Sequence, residues 1–430
     1  MKKTFLLSIV VSIMLNGCNS DSALTTTASI ATTDPITVDT DTVPPVIKLL
    51  GDNPLTITLG SDYVEPGATA IDNVDGVVGV DIYNTVDTTK EGEYSVIYTA
   101  VDSNNNISKT TRTVKVVAAE NDTLYNIVSS LKLVGYASEI ALSSDGTKAY
   151  IADDNGGLQI VDVSDPTNPI IIGNVDTPSY ASGVALSSDG TKAYIADGLS
   201  GLQIVDVSDS ANSTIIGNID LAGYASAVAL SYDGTKAYVA NVINGLQIVD
   251  VSDPANPIII GNIDTEHALE IALSSDDTKA YVADGNGGLQ IVDVSYPTNP
   301  TIISNVIIND ANAVALSSDD TKAYVADGNG GLQIVDVSDP TNPTIIGNVD
   351  TLNYASAVAL SSDNTVYIAD GSSLQIVDVS DPTNPVEIKN ISVSPESTLS
   401  VTLSSDETKV FAGCANFADE NGSLKIINLP

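Results

Sequence analysis

Beyond Cys18, hydrophobic and polar positions alternate in short bursts, and no stretch keeps a helical period. One burst returns again and again. "LQIVDVS" recurs with its Leu at Leu158, Leu202, Leu246, Leu289, Leu332 and Leu374, and in altered form at Leu424. The first six are spaced 42 to 44 residues apart, a period that marks propeller blades when each unit holds several strands. One unit reads as four strands: "GVALSS", a two-residue Asp-Gly turn, "KAYIAD", a variable loop, "LQIVDVS", a "DPTNP" turn and "IIIGNV". Such turns make tight antiparallel connections, so the unit is a meander with two faces that neighbouring units must cover. Seven first strands are marked by Ala141, Ala185, Ala229, Ala272, Ala315, Ala359 and Val401. The seventh unit reaches only its third strand by Pro430, while "SLKLVGY" at 130–136 aligns with the missing fourth. The two ends of the repeat region are thus expected to share one blade, closing the ring and leaving no raw edge.

Residues 44–118 alternate differently. "PPVIKLLG", "LTITLGSDY", "YSVIYTAVD" and "TRTVKVV" are strand-like runs between Gly, Asn, Asp and Pro turns, which suggests a small β-sandwich. The order "DTVPPVIKLLG…YVEPGATAIDNVDG…EGEYSVIYTAVDSNNN…TRTVKVV" resembles an Ig-like domain common in bacterial surface proteins and first noted in pesticidal crystal proteins. That resemblance implies a spacer or stalk. "LQIVDVSDP" in turn resembles the LVIVD repeats of bacterial and archaeal extracellular proteins, across 119–430. It implies a propeller at the cell surface and supplies no catalytic residues. The expected fold is all-β, a seven-bladed β-propeller over 119–430 preceded by an Ig-like β-sandwich over 44–118.

The first 18 residues read as a processing signal. Lys2 and Lys3 precede an apolar run, Phe5 to Leu15, too short to span a bilayer of roughly 30 Å as a helix. Leu15-Asn16-Gly17-Cys18 resembles the bacterial lipobox, which implies lipidation at Cys18; ordinary secretion is the alternative. Residues 19–43, rich in Thr, Ser and Asp, read as a flexible tether. Lipidated Cys18 would leave Cys414 without a disulfide partner, so the fold must hold by packing. The net charge of −39 repels nucleic acid and suits a soluble face, a basic partner or divalent cations. A single His and no Trp argue against His-rich metal sites, a His-based triad, and the cofactor-stacking Trp of quinoprotein propellers.

The parts that vary between repeats are the guide to function. First-to-second and third-to-fourth strand turns are nearly constant. Their carboxylates, from Asp145 to Asp406 and from Asp165 to Asp381, read as turn stabilisers, with a ring of cation sites as the alternative. The second-to-third strand loops vary, from "DDNGG" and "NVING" to a long "CANFADENGS". On the same face, just before each first strand, lie Tyr136, Tyr180, Tyr224, His267, Asp310, Tyr354 and Ser397. Variation on one face is what recognition on a fixed scaffold produces; unconstrained drift produces it too. With Phe417, Asp419 and Glu420 of the seventh loop, these residues (Ser397 aside) form the candidate ligand face. Asp162 and its equivalents read as strand residues bonded to backbone. Asp72, Asn73 and Asp75 are candidate Ca²⁺ ligands, with an Asx-rich turn as the alternative. No other cofactor is expected.

The expectation is a non-enzymatic lipoprotein of the cell envelope, held at the outer membrane or cell surface by its lipid. It would present the propeller to an envelope or extracellular protein or glycan. The alternatives are a periplasmic assembly scaffold and a propeller enzyme of lactonase or quinoprotein type.

Overall fold

The computed structural model describes residues 41–117 and 125–430. The chain divides between Glu120 and Asn121 into two compact units, and no α-helix occurs among the described residues. Cys18 and most of the expected tether lie outside the described residues.

The first unit has seven strands: β1 (Val46–Leu49), β2 (Leu55–Thr58), β3 (Ala68–Asp72), β4 (Gly76–Val78), β5 (Val80–Asn84), β6 (Gly92–Val101) and β7 (Ile107–Val117). They form two sheets, β1-β3-β4 and β2-β7-β6-β5, with β2 parallel to β7. Val96, Tyr98 and Val114 are buried between them, against Ile47 and Leu49 of one sheet and Leu55, Ile57 and Val80 of the other. The core is small, and it contains an ion pair. Arg112 is fully buried, with Nε 2.9 Å from the Tyr98 hydroxyl and 3.6 Å from Glu65. Its guanidinium also donates to the carbonyls of Leu50, Asp52 and Gly67. Burial pushes the Glu65 carboxyl up, but hydrogen bonds from Tyr63, Tyr98 and the Gly67 N–H outweigh it and hold the group below its usual range.

The second unit is β-propeller-like. Seven four-stranded antiparallel sheets follow one another, the first built from Glu139–Leu142, Lys148–Ala152, Leu158–Asp162 and Ile170–Val175. Each sheet's first strand contacts that of the next, and the first strand of the seventh contacts that of the first. Both faces of a sheet are covered, which is why "LQIVD" is buried almost throughout. Leu158 and Ile160 pack toward the second sheet, with Val184, Ile195 and Val205. Val161 packs the other way, toward Phe411, Leu424 and Ile426 of the seventh. Tyr150, Tyr194, Tyr238, Tyr281, Tyr324 and Tyr367 are all buried in these seams.

The seventh sheet takes its fourth strand from β8 (Asn126–Lys132), antiparallel to Asn421–Asn428 with Leu424 opposite Leu131. The strand starts four residues earlier than 130–136. Leu131 occupies the place that Val175 holds in the first sheet, so Val134 to Tyr136 belong to the connection that follows.

The Gly of "IIIGNV" also has a physical reason. A Cβ at Gly173 would stand 1.8 Å from the Ser210 carbonyl oxygen of the neighbouring sheet's turn, and one at the equivalent Gly217 as close to that of Pro254. Where Ser takes this place, it converts the approach into a hydrogen bond: Ser304 Oγ donates to the Pro340 carbonyl at 2.6 Å, and Ser129 to that of Pro166 at 2.7 Å.

Candidate functional site

The variable loops share one face because each sheet is an up-and-down meander, and buried polar side chains, five of them carboxylates, tie these loops to the neighbouring connections. In the first six sheets the second strand ends at or just before Asp153, Asp197, Asn241, Asp284, Asp327 or Asp370, all nearly inaccessible; Cys414 takes this place in the seventh. Asp153 accepts the Val134 and Gly135 N–H groups at 3.2 and 3.1 Å. Asp284 accepts those of Glu266 and His267 at 3.0 and 2.7 Å, and Asp370 those of Leu352 and Asn353 at 3.1 and 2.8 Å. Each therefore fixes the connection that carries a ring residue. The cost is desolvation: burial raises the Asp153 carboxyl to about 6 despite its two donors, and it raises Asp197 and Asp327 as well. Backbone bridges then join loop to next sheet, Asp154 to Ala181, Gly198 to Ala225, Gly285 to Ala311 and Gly328 to Ala355. The result is a fixed collar of loops.

Ring residues reach across this collar. The Tyr224 hydroxyl lies 2.9 Å from Ser182 Oγ of the preceding sheet, and the Tyr354 hydroxyl donates to Asn312 Oδ1 at 3.1 Å. Burial raises the Tyr354 hydroxyl, and neighbouring Asp310 adds to the rise. Tyr136 meets Phe417 edge-on, ring centroids 5.2 Å apart; Phe417 itself is 60 % exposed. His267 is exposed beside Gly285. Leu199, Ile243, Ile307 and Leu352, also on these loops, are more exposed still. Single aliphatic positions in loops had carried no signal in the sequence.

The seventh loop needs correction. Its strands run to Asn416 and resume at Asn421, so the expected loop 414–423 is a longer hairpin closed by four residues. Asn416 Nδ2 donates to the Asp419 carboxylate at 3.0 Å, and Glu420 holds a left-handed turn position with φ of 53°. Cys414 lies within the strand, buried, where desolvation pushes its thiol up to about 12.

On the opposite face the turn carboxylates are occupied locally. Asp145 accepts from Ser143 Oγ, Thr147 N and Thr147 Oγ1 at 2.7, 3.0 and 2.8 Å, which hold its carboxyl at about 2. Asp165 binds Thr167 in the same way. Asp162 ends its strand half-buried and bonds Ser164 N and Oγ. Among the described residues, no three carboxylates of this unit converge as a cation site would require. The residue after each turn Asp has positive φ and is Gly146, Gly190 or Gly234 in the first three repeats. Asp277, Asp320 and Glu407 replace it later and accept the backbone N–H of Tyr232, Ser275 and Ser362 from the preceding sheet.

The first strands enclose an axial cavity of about 350 Å³, lined by Ser138, Ser182, Ser226, Asn312 and Ser356 together with Glu139 and Glu270. These glutamates stand where the other repeats place Gly183, Ala227, Ala313, Ala357 and Ser400. Glu139 Oε2 accepts the Val184 N–H at 2.7 Å. Burial raises Glu139 to about 7; burial and then the Glu139 charge push Glu270 well above the usual carboxylate range. Both side chains remain partly exposed to the cavity they line.

In the first unit, the expected cation triplet divides. Asp72 Oδ1 accepts the N–H groups of Val74 and Asp75 in an Asx turn, while the Asp75 carboxylate turns to Ser103. Asp72 sits instead with Asp41 and Asp102.

Comparison with known proteins follows the two units. The model for "Bacterial surface protein, Ig-like domain" matches residues 47–116. The LVIVD repeat model matches six times, over 134–177, 178–220, 222–265, 271–307, 310–351 and 354–393. No curated protein matches the chain. Among solved structures, the β-propeller domain of Myceliophteria thermophila Cps50 (Swd1) is similar, with a TM-score of 0.58 at 12 % identity over 71 % of this chain and 100 % of that one. At that identity the likeness concerns the fold alone. No helix among the described residues is long and apolar enough to cross a membrane.

Proposed function

The chain belongs to the LVIVD-repeat family, and from that premise we propose that it is a non-enzymatic binding protein of the cell envelope. It presents the collar of variable loops to a protein partner. In this reading the seven sheets are blades of one closed propeller, the first unit is an Ig-like sandwich that serves as spacer, and lipid on Cys18 holds the chain to the membrane. The match to a bacterial surface Ig-like domain supports display at the surface.

One observation carries the reading. Exposed large apolar side chains recur on the variable face, from Tyr180 and Leu199 through Ile243, Ile307 and Leu352 to Phe417. Loops pinned by buried Asp residues present them without the entropy cost of ordering on contact. Aliphatic side chains among the aromatics favour a protein over a glycan, and an aromatic anchor is the usual centre of a binding hot spot. The net charge of −39 favours a partner with a basic rim.

The experiment compares two sets of variants for capture of envelope or host-surface proteins. One set replaces Tyr180, Tyr354 and Phe417 by Ala. The control replaces Tyr232 and Tyr296, which are 90 % and 76 % exposed on the opposite face. Loss confined to the first set is expected, and equal loss from both would mean that the wrong face was chosen.

A further inference from the structure

At one end of the first unit, three carboxylates from distant parts of the sequence converge. Asp41 precedes β1, Asp72 ends β3 and Asp102 follows β6, and one oxygen of each lies within 4.8 Å of the others. Asp72 and Asp102 are only 3 % and 6 % exposed. Among the described residues, none of the three pairs with Lys or Arg. Like charges held this close in a poorly hydrated place repel strongly unless a cation lies among them.

The surrounding donors hold the carboxylates in place and leave one atom unserved. Asp102 Oδ1 accepts the N–H groups of Asn104 and Asn106, and its Oδ2 accepts the Asn106 amide. Both of those Asn side chains also donate to the Asp41 carbonyl, and Asp41 Oδ1 accepts the Val43 N–H. Asp72 Oδ1 serves its Asx turn. Asp72 Oδ2 is buried with no donor from the surrounding backbone or amide groups, and the Asp41 carboxyl approaches the Asp72 carboxyl closely enough to hydrogen-bond to it, which two ionised carboxylates can do only through a shared proton or a cation. An orphaned buried carboxylate oxygen is costly and asks for an occupant.

We propose that Asp41, Asp72 and Asp102 bind a Ca²⁺ ion. The donors are all hard oxygens, which disfavours zinc and copper. They come from three separate segments of the chain, the stretch before β1, the end of β3 and the turn after β6; Ca²⁺ tolerates irregular oxygen sets better than Mg²⁺, which demands a near-ideal octahedron. The ion would tie the segment entering the unit to the β3–β4 turn and the β6–β7 hairpin. It would add a cross-link to a unit whose apolar core is small. The site is independent of the recognition face.

The test is calorimetric titration and thermal melting of the full chain in chelator, in CaCl₂ and in MgCl₂. One Ca²⁺ per chain is expected, with a dissociation constant of roughly 10⁻⁴–10⁻³ M, the range of extracellular modules. The melting transition of the first unit should rise with Ca²⁺. Asp41→Asn alters a residue outside every strand, so it should fold normally and weaken binding at least tenfold. Asp72→Asn, which keeps the Asx-turn acceptor, should do the same. No Ca²⁺-dependent heat or shift in the unaltered chain would overturn the proposal. So would an equal response to Mg²⁺, or a response that persists in both variants, since either means general screening of an acidic chain.

Discussion

Removing residues 125–133, which comprise β8 and the residue on either side of it, should leave the second unit unable to close. Residues 125–133 place Leu133 in the seam between the seventh and first sheets, with Val128 and Leu131 partly buried beside it against Phe411, Leu424 and Ile426. Loss of Leu133 alone is worth about 2–5 kcal/mol, and the three side chains together on the order of 5–8 kcal/mol. That rivals the entire stability of a typical domain, about 5–15 kcal/mol. The strand Asn421–Asn428 would also become a bare edge. The deleted chain should therefore aggregate or lose its cooperative melt in light scattering and circular dichroism. A permutant gives the matched rescue. In the first sheet, Asp162 and Ile170 are paired across a "VSDPTNP" turn, and Asn428 and Asn126 are paired in the same way. Moving residues 126–133 behind Asn428 through that turn should restore a monomer with native melting. Leu133→Ala grades the effect: about 3 kcal/mol lowers the melting of a unit this size by about 5 °C. A monomeric deletion variant with unchanged melting would refute the shared sheet.

Three further outcomes follow from particular residues. Glu139 and Glu270 are both raised above their unfolded values, so their favourable contribution is complete below about pH 4.5, and the Glu139 share is lost as pH rises through about 7. Melting of the second unit should fall between pH 5 and 8 by an amount that Glu139→Gln reduces. The Glu139 share is at most about 3 kcal/mol, less for the water the cavity admits, and an unchanged slope in the variant would remove the axial carboxylates as its cause. Arg112→Ala should destabilise the first unit by about 3–5 kcal/mol by leaving Glu65 buried without its cation, leaving the melting of the second unit alone; differential scanning calorimetry resolves the two. Cys18→Ser should move the protein from the membrane fraction to the soluble fraction with its fold intact, and retention in the membrane would contradict lipid anchoring.

The repeat architecture was legible because each unit states its period, its turns and its buried third strand in letters. The ends of elements were less so. "SLKLVGY" reads as the missing fourth strand because it aligns with "IIIGNV", yet the ladder to Asn421–Asn428 starts at Asn126 and is over by Lys132. "CANFADENGS" reads as a loop because it stands where the other repeats carry their second-to-third strand loops, yet much of it is paired hairpin. Partners distant in sequence were hidden altogether. Nothing near Asp153 says that it will hold Val134, nothing near Arg112 names Glu65, and nothing near Asp72 points to Asp41 or Asp102. The axial pair did leave a trace, Glu139 and Glu270 in a row that is otherwise Gly, Ala or Ser. That departure has meaning only once the row is known to face the axis.

Recognition through the collar is tested most directly by a footprint. Hydrogen exchange of the chain, free and bound to its captured envelope partner, would report each face separately. Protection is predicted over the connections that carry Val134 to Tyr136, Tyr180, Ile307 and Leu352 to Tyr354, and over the loops with Leu199, Ile243 and Phe417. The turns around Asp145, Asp189 and Asp233 should exchange as in the free chain. Protection confined to those turns, or to the first unit, would contradict recognition by the variable face.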